Sequence, residues 1–207
     1  MSLLGDCHRS LIFDRRVQRL SELLSQIIPR ECSVLDVGCG DGKVAWSLLK
    51  RRPDLRIEGV DVLMRKRTWL PVKSFDGKTL PDVGSSFDVV MLIDVLHHTL
   101  DPLALLREAL RVSCRWLIIK DHVLQGFAAG LKLRFMDYAG NSDNGVAMPY
   151  NYLTEKQWEE LERILGLRTE AKVRDLGLYR WPVDRIFGSS LHFISLYEKR
   201  SQADHSL

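Results

Sequence analysis

The sequence predicts a doubly wound α/β fold: a mostly parallel, seven-stranded sheet with an antiparallel C-terminal strand, in a single domain of 207 residues. Three observations predict it. Strand-like and helix-like segments alternate five times before a hairpin-like pair ends the chain, the pattern of parallel strands joined by right-handed crossovers. The first strand breaks into Gly38-Cys39-Gly40-Asp41-Gly42 and opens directly into a helix. Phe87 to Ile93 is a continuous apolar run, as expected of a strand covered on both faces.

Val17, Leu20, Leu23, Leu24 and Ile27 recur at helical spacing and Pro29 stops them, which predicts a helix over about 10–28 at one edge of the ligand site. Ser33 to Val37 is the first strand. Val44, Ala45, Leu48 and Leu49 mark the helix after the glycines, ended by Pro53. Arg56 to Val62 reads as the second strand. Only Leu63 to Leu70 leads to a short third strand ending near Phe75, too little for a full crossover helix. Asp101-Pro102 supplies an N-cap and an N1 proline for the helix bearing Leu103, Leu106 and Leu110. Trp116 to Ile119 is the fifth strand. Leu124, Phe127, Leu131 and Phe135 lie on one helical face. Thr154 and Gln157 form a capping box before Trp158, Leu161 and Leu165, with Gly166 as the stop. Thr169 to Val173 and Leu191 to Tyr197 complete the sheet, and Ser201 to Leu207 reads as a frayed tail.

Composition narrows the function classes. Hydrophobic residues make up 45% of the chain, enough for one core. A net charge of +3 from 30 basic and 27 acidic residues gives no field that favours nucleic acid or an anionic membrane. Arg65-Lys66-Arg67 is too short a run, without interleaved aromatics, to be more than a solvated face. No apolar run reaches the roughly 20 residues of a membrane span, and no signal-peptide core precedes the first helix. Cys7, Cys32, Cys39 and Cys114 show neither metal nor disulfide spacing, which fits reduced thiols in the cytoplasm. The oligomeric state is not legible.

The glycine loop identifies the ligand. A phosphate-binding loop aims amide N–H groups and a helix N-terminus at an anion, so carboxylates within it would repel its ligand. Here Asp36 precedes the glycines and Asp41 lies among them. The glycine spacing is GxGxG, and Lys43 stands where a dinucleotide fingerprint has its third glycine. Such a loop suits a cationic ligand or a neutral one carrying an amine. In open α/β sheets ligands bind at the carboxyl ends of the strands, which selects Gly38, Asp61, Asp76, Asp94 and Asp121.

The segment Val34-Leu35-Asp36-Val37-Gly38-Cys39-Gly40-Asp41-Gly42 resembles motif I of the class I S-adenosylmethionine-dependent methyltransferases. Leu80-Pro81 followed by Ser86-Phe87-Asp88-Val89-Val90 resembles a second stretch of that family. Val95-Leu96-His97-His98 resembles its small-molecule, type 11-like branch. The resemblance covers about 31–120 and implies the Rossmann-like methyltransferase fold, S-adenosylmethionine as cofactor and S-adenosylhomocysteine as product. It implies that Asp36, Gly38, Cys39 and Gly40 form the cofactor loop. Asp61, which lies 19 residues past Gly42, would take the ribose hydroxyls with Val62 beside it. Asp76 and Gly77 would meet the adenine, although the 15 residues from Asp61 to Asp76 are fewer than the family pattern has. An ordinary Asp-Gly turn is the alternative reading there. Ile93 and Asp94 would face the methionine end. Asp88 is excluded as a solvent-facing or strand-capping residue, and Cys39 is excluded as a nucleophile only, being a small turn residue that nothing activates.

Methyl transfer is a displacement at carbon, so positioning dominates and a base matters only if the acceptor must lose a proton. His122 is the first candidate base and His98 the second. No metal is expected, because adjacent histidines on a helix do not face one ligand and no acidic or cysteine partner lies at ligand spacing. The expected organisation is a cofactor core over 33–121, a substrate-lid insertion over 122–152 offering Tyr150, Asn151 and Tyr152, and a helix with a strand pair over 153–199. The function expected is methylation of a small molecule, at oxygen before other atoms. The alternatives are an RNA or protein methyltransferase, a non-catalytic cofactor-binding protein, and an NAD-dependent oxidoreductase.

Overall fold

The computed structural model describes residues 3–141, 148–181, 183–187 and 191–199. The expected loop residues Ser142 to Gly145 and the tail from Ser201 lie outside them. Helix α1 (Leu3–Ile27) precedes β1 (Ser33–Val37), α2 (Lys43–Arg51), β2 (Arg56–Asp61), β3 (Val72–Ser74) and β4 (Phe87–Ile93). A one-turn 3-10 helix (Leu96–His98) follows, then α3 (Pro102–Val112), β5 (Ser113–His122), α4 (Ala129–Asn141), α5 (Glu155–Ile164), β6 (Leu167–Arg174), α6 (Val183–Phe187) and β7 (His192–Lys199). The sheet order is β3-β2-β1-β4-β5-β7-β6, with β7 antiparallel to both of its neighbours. Its order reverses at β1, between β2 and β4, which puts the ligand crevice above the glycine loop.

Strand periodicity sorts the core into two layers. Val34, Val89, Met91 and Ile118 pack on one face against Leu20, Leu24 and Leu48 of α1 and α2. Leu35, Val90, Leu92, Leu117 and Ile119 pack on the other against Leu105, Leu106 and Trp158 of α3 and α5. A residue-by-residue alternation of this kind requires apolar side chains on both sides of each strand, the property read from Phe87–Ile93. Asp101 Oδ1 accepts from Ala104 N at 3.0 Å, and the Thr154–Gln157 capping box forms as expected. Asp88 anchors the sheet, its Oδ2 accepting from both N and Oγ of Ser33.

The structure departs from expectation in three places. Helix α1 begins at Leu3 and not near residue 10, because apolar spacing locates a packed face, here Val17, Leu20, Leu23 and Leu24, and not the first turn of a helix. Strand β5 runs on to His122, since Lys120, Asp121 and His122 pair with β7 and are buried despite their polarity. The apolar face assigned to the insertion is solvent-exposed: Phe127, Leu131 and Phe135 are 96%, 72% and 61% exposed. Helix α4 buries Ala129 and Leu133 against Tyr152 and Leu191 instead. The short β2–β3 connection contains no helix, as its length required, and folds onto the glycine loop through Trp69 N donating to Asp41 O at 2.8 Å. Among the described residues no helix is long and apolar enough to cross a membrane.

Candidate active site

The loop after β1 is shaped by backbone demands that only glycine meets cheaply. Gly38 has φ +70°, and a Cβ there would lie 2.6 Å from Val95 Cγ2. Gly40 has φ +61° with open space where its side chain would be, so a ligand can come up to the backbone. Its amide donates to Asp61 Oδ2 at 2.7 Å, while Asp61 Oδ1 accepts from Leu63 N at 2.7 Å. Each carboxylate oxygen keeps a second acceptor position. Asp61 therefore sets the loop's shape as well as facing the crevice.

Two adjoining cavities share Gly38, Gly40, Arg65, Asp94 and His98. The larger, of about 590 Å³, is lined by Asp61, Val62, Phe75, Asp76, Gly77 and the apolar Val95, Leu100 and Leu105. A flat base flanked by a ribose suits such a mixture of apolar walls and acids. The smaller, of about 510 Å³, is lined by Asp36, Cys39, Ile93, Asp94, His97, His98, His122 and Asp137, with Phe13, Arg16, Val17 and Leu20 of α1 above. All ten residues expected to hold the cofactor line one cavity or the other. Asp76 also closes its own turn, accepting from Lys78 N and Thr79 N.

Electrostatics divide the acids by role. Burial, with Asp61 beside it, pushes the Asp36 carboxyl up to about 8. Burial would raise Asp94 too, but Arg16 and Lys120 outweigh that and hold it well below the usual carboxylate range. Asp94 is ion-paired to both, in a left-handed conformation (φ 59°) that turns the chain off β4. Burial pushes the Cys39 thiol up, so it stays protonated.

Beneath the smaller cavity lies a buried polar cluster. His97 Nδ1 is 2.6 Å from Asp121 Oδ1, and its Nε2 is 3.5 Å from Asp137 Oδ2. His122 Nδ1 is 3.2 Å from Asp121 Oδ1 and 3.3 Å from His97 Nδ1. Burial lowers both imidazoles, but the Asp121 and Asp137 charges prevail at His97 and raise it to about 10. Burial and the neighbouring His97 charge push His122 down to about 4. Trp158 Nε1 donates to His122 O at 3.0 Å, tying α5 to this floor.

Sequence reasoning placed His98 and His122 on the cavity wall but missed His97, Lys120 and Asp137. His97 was legible only as half of a pair, and Asp137 lies 15 residues past β5 on α4, where no spacing rule points to it. The expected substrate trio lines neither cavity. Tyr152 is buried with its hydroxyl on Asp137, Asn151 Nδ2 donates to Thr99 O at 3.1 Å, and Tyr150 packs beside Tyr152. These contacts brace the wall from behind, because the chain re-enters the fold there to start α5. Arg65, Lys66 and Arg67, read as a solvated run, line the smaller cavity's rim, since the short β2–β3 connection folds across the glycine loop.

A glycine loop at the sheet's switch point, with acids at the ends of β1 and β2, is the arrangement expected of a class I methyltransferase site. The profile of the methyltransferase-domain family matches residues 8–172, and the chain belongs to that family; S-adenosylmethionine is its cofactor. Among curated relatives, the mitochondrial ubiquinone biosynthesis O-methyltransferase of Saccharomyces cerevisiae is 32% identical over 89 residues, 38% of this chain and 28% of that protein's length. A Haloferax volcanii methyltransferase solved with its Trm112 activator is similar in fold, with TM-score 0.68 and 15% identity over 95% of this chain and 96% of that one. A SAM-dependent methyltransferase from Aquifex aeolicus aligns with TM-score 0.63 and 17% identity over 93% and 98%. At these identities the structural likeness establishes the fold alone.

Proposed function

We propose that this chain transfers the methyl group of S-adenosylmethionine to an oxygen of a small-molecule acceptor. The observation that carries it is the pair of cavities joined at Gly38, Gly40 and Asp94: one suited to a nucleoside, the other walled by histidines and open to solvent at its rim. The cofactor, when bound, supplies an electrophilic methyl on a good leaving group. The chain's residues then have three tasks. Asp61 and Val62, with Asp76 and Gly77, hold the nucleoside. Asp36, Gly38, Cys39, Gly40, Ile93 and Asp94 hold the charged amino-acid end. Positioning the acceptor in line accounts for the bulk of the rate, since it removes a bimolecular entropy cost of roughly 7–11 kcal/mol.

His122 is the first candidate to take a proton from an acceptor hydroxyl, and His98 the second; both face the smaller cavity. Lys43, Arg65, Lys66 and Arg67 around the rim favour a neutral or acidic acceptor over a cationic one. The local similarity to a ubiquinone-pathway O-methyltransferase supports oxygen as the atom methylated. The insertion over 122–152 is the proposed lid: among its described residues, His122, Met136 and Asp137 line the smaller cavity, and Tyr152 and Asn151 brace that wall from behind. The free thiols Cys32, Cys39 and Cys114 fit a reducing compartment, the cytoplasm.

The test is incubation of the purified protein with methyl-labelled S-adenosylmethionine and a metabolite extract, resolved by mass spectrometry and carbon NMR. Label in a small-molecule methyl ether is expected. Label in RNA or protein, in a methylamine, or in no product from protein that binds S-adenosylhomocysteine refutes the reading.

A further inference from the structure

The histidine pair behaves differently in the fold than on an α-helix. Leu96–His98 is a single 3-10 turn, and there the rings of His97 and His98 come to 4.0 Å between centroids, tilted by 47°. The argument that neighbouring histidines face apart holds for a regular α-helix and fails for this turn. The missing acidic partner comes from α4: one ligand atom each from His97, His98 and Asp137 all lie within 4.8 Å of one another. All three residues line the smaller cavity.

We propose that His97, His98 and Asp137 bind a divalent first-row transition-metal ion, of the zinc or cobalt type, on the floor of the acceptor half of the crevice. Two imidazoles and one carboxylate are the donor set such ions take, and magnesium or calcium would call for oxygen ligands. Bonds of about 2.0–2.1 Å in a tetrahedral site put ligand atoms about 3.3 Å apart. His97 Nε2 and Asp137 Oδ2 already stand 3.5 Å apart, and the ion would displace the proton His97 holds between them, releasing it to solvent. His97 is oriented for this from behind: its Nδ1 meets Asp121 Oδ1 at 2.6 Å, which turns Nε2 toward the cavity. Carboxylate–histidine pairs hold metal-ligating imidazoles in this way. Tyr152 donates its hydroxyl to the same Oδ2 and fixes the carboxylate, leaving that oxygen's second acceptor position for the ion. With three protein ligands the ion keeps an open position toward the cavity, where it can take an acceptor's oxygen. That last consequence rests on the methyl-transfer reading; metal binding itself does not. If the ion uses His98, His122 is left as the candidate base.

The experiment is titration of chelator-stripped protein with Co²⁺ alone, followed by visible absorption, and with Zn²⁺ alone, followed by calorimetry. One equivalent should bind, with cobalt bands of low coordination number. Asp137→Asn and His98→Ala should each weaken binding more than a hundredfold, and Asp121→Asn by roughly 10- to 100-fold through loss of orientation. Far-UV circular dichroism and S-adenosylhomocysteine binding report whether each variant is folded; His98 is the more accessible of the ligands, so His98→Ala decides the matter if Asp137→Asn does not fold. Failure of the wild-type protein to bind either ion while it binds S-adenosylhomocysteine overturns the metal site and leaves the methyltransferase reading intact. Undiminished binding by His98→Ala also overturns it. Binding of the ion without binding of S-adenosylhomocysteine would sustain the metal site and sink the cofactor reading.

Discussion

Asp36 couples cofactor binding to pH. Its carboxyl, ordinarily near 3.8, is pushed up to about 8 by burial and by Asp61. A shift of about 4 units makes ionising it in the empty site cost about 6 kcal/mol. A sulfonium and an ammonium group entering the cavity it lines would reverse that preference, so binding expels the proton. Below about pH 8 the affinity should then rise by up to tenfold per pH unit and flatten above it, about 30-fold between pH 6.5 and 8 at most. Stability moves the other way. A carboxyl raised on folding contributes stability that is full below its unfolded value and lost as pH rises through about 8, so Asp36→Asn should stabilise the cofactor-free protein at pH 7 by up to about 4 kcal/mol. Calorimetry with S-adenosylmethionine in buffers of different ionisation enthalpy counts the protons released, and urea denaturation across pH 5–9 reads the stability. The expected result is close to one proton released at pH 7 for the wild type and none from this site for Asp36→Asn. Equal affinity at pH 6.5 and 8, with no proton released, refutes the reasoning.

Four further variants separate loop shape, ligand contact and buried charge. Gly38→Ala meets Val95 at 2.6 Å in a left-handed conformation and should lose about 1–3 kcal/mol of stability by urea denaturation. Gly40→Ala has open space and bears only the backbone strain, about 1–2 kcal/mol, so its main effect should be weaker S-adenosylhomocysteine binding. Asp61→Ala frees the Gly40 and Leu63 amides and removes the proposed ribose acceptors; calorimetry should show at least a roughly tenfold loss of affinity, about 1.4 kcal/mol. Asp94→Asn leaves the fully buried Lys120 ammonium and the Arg16 guanidinium without their carboxylate and should destabilise by about 3–5 kcal/mol, a loss that vanishes if the two cations are not paired to it.

The glycine loop and the strand-end acids of the site were legible because their chemistry is local. Gly38, Gly40 and Asp36 sit on one strand-to-helix turn, and Asp61 ends the next strand, so short-range rules reach them all. The smaller cavity's floor was legible only in part, through His98 and His122. Asp137 comes to His97 from an insertion helix, and Lys120 and Asp121 belong to a strand whose apolar run was read as ending at Ile119, because charged residues at a strand terminus carry no apolar period to reveal their burial. The exposed Phe127, Leu131 and Phe135 show the converse: helical spacing identifies a face but not which neighbour, if any, covers it.

By itself the sequence determined the sheet, the switch point above β1 and a loop suited to a cationic cofactor, since strand periodicity, caps and glycine turns act over a few residues. Tertiary structure alone decided the acceptor floor. Its charges come from Arg16 of α1, Asp94 just past β4, His97 of the 3-10 turn, Lys120 and Asp121 of β5 and Asp137 of α4, and only the folded packing of those elements takes them out of water and sets which carboxylate meets which cation.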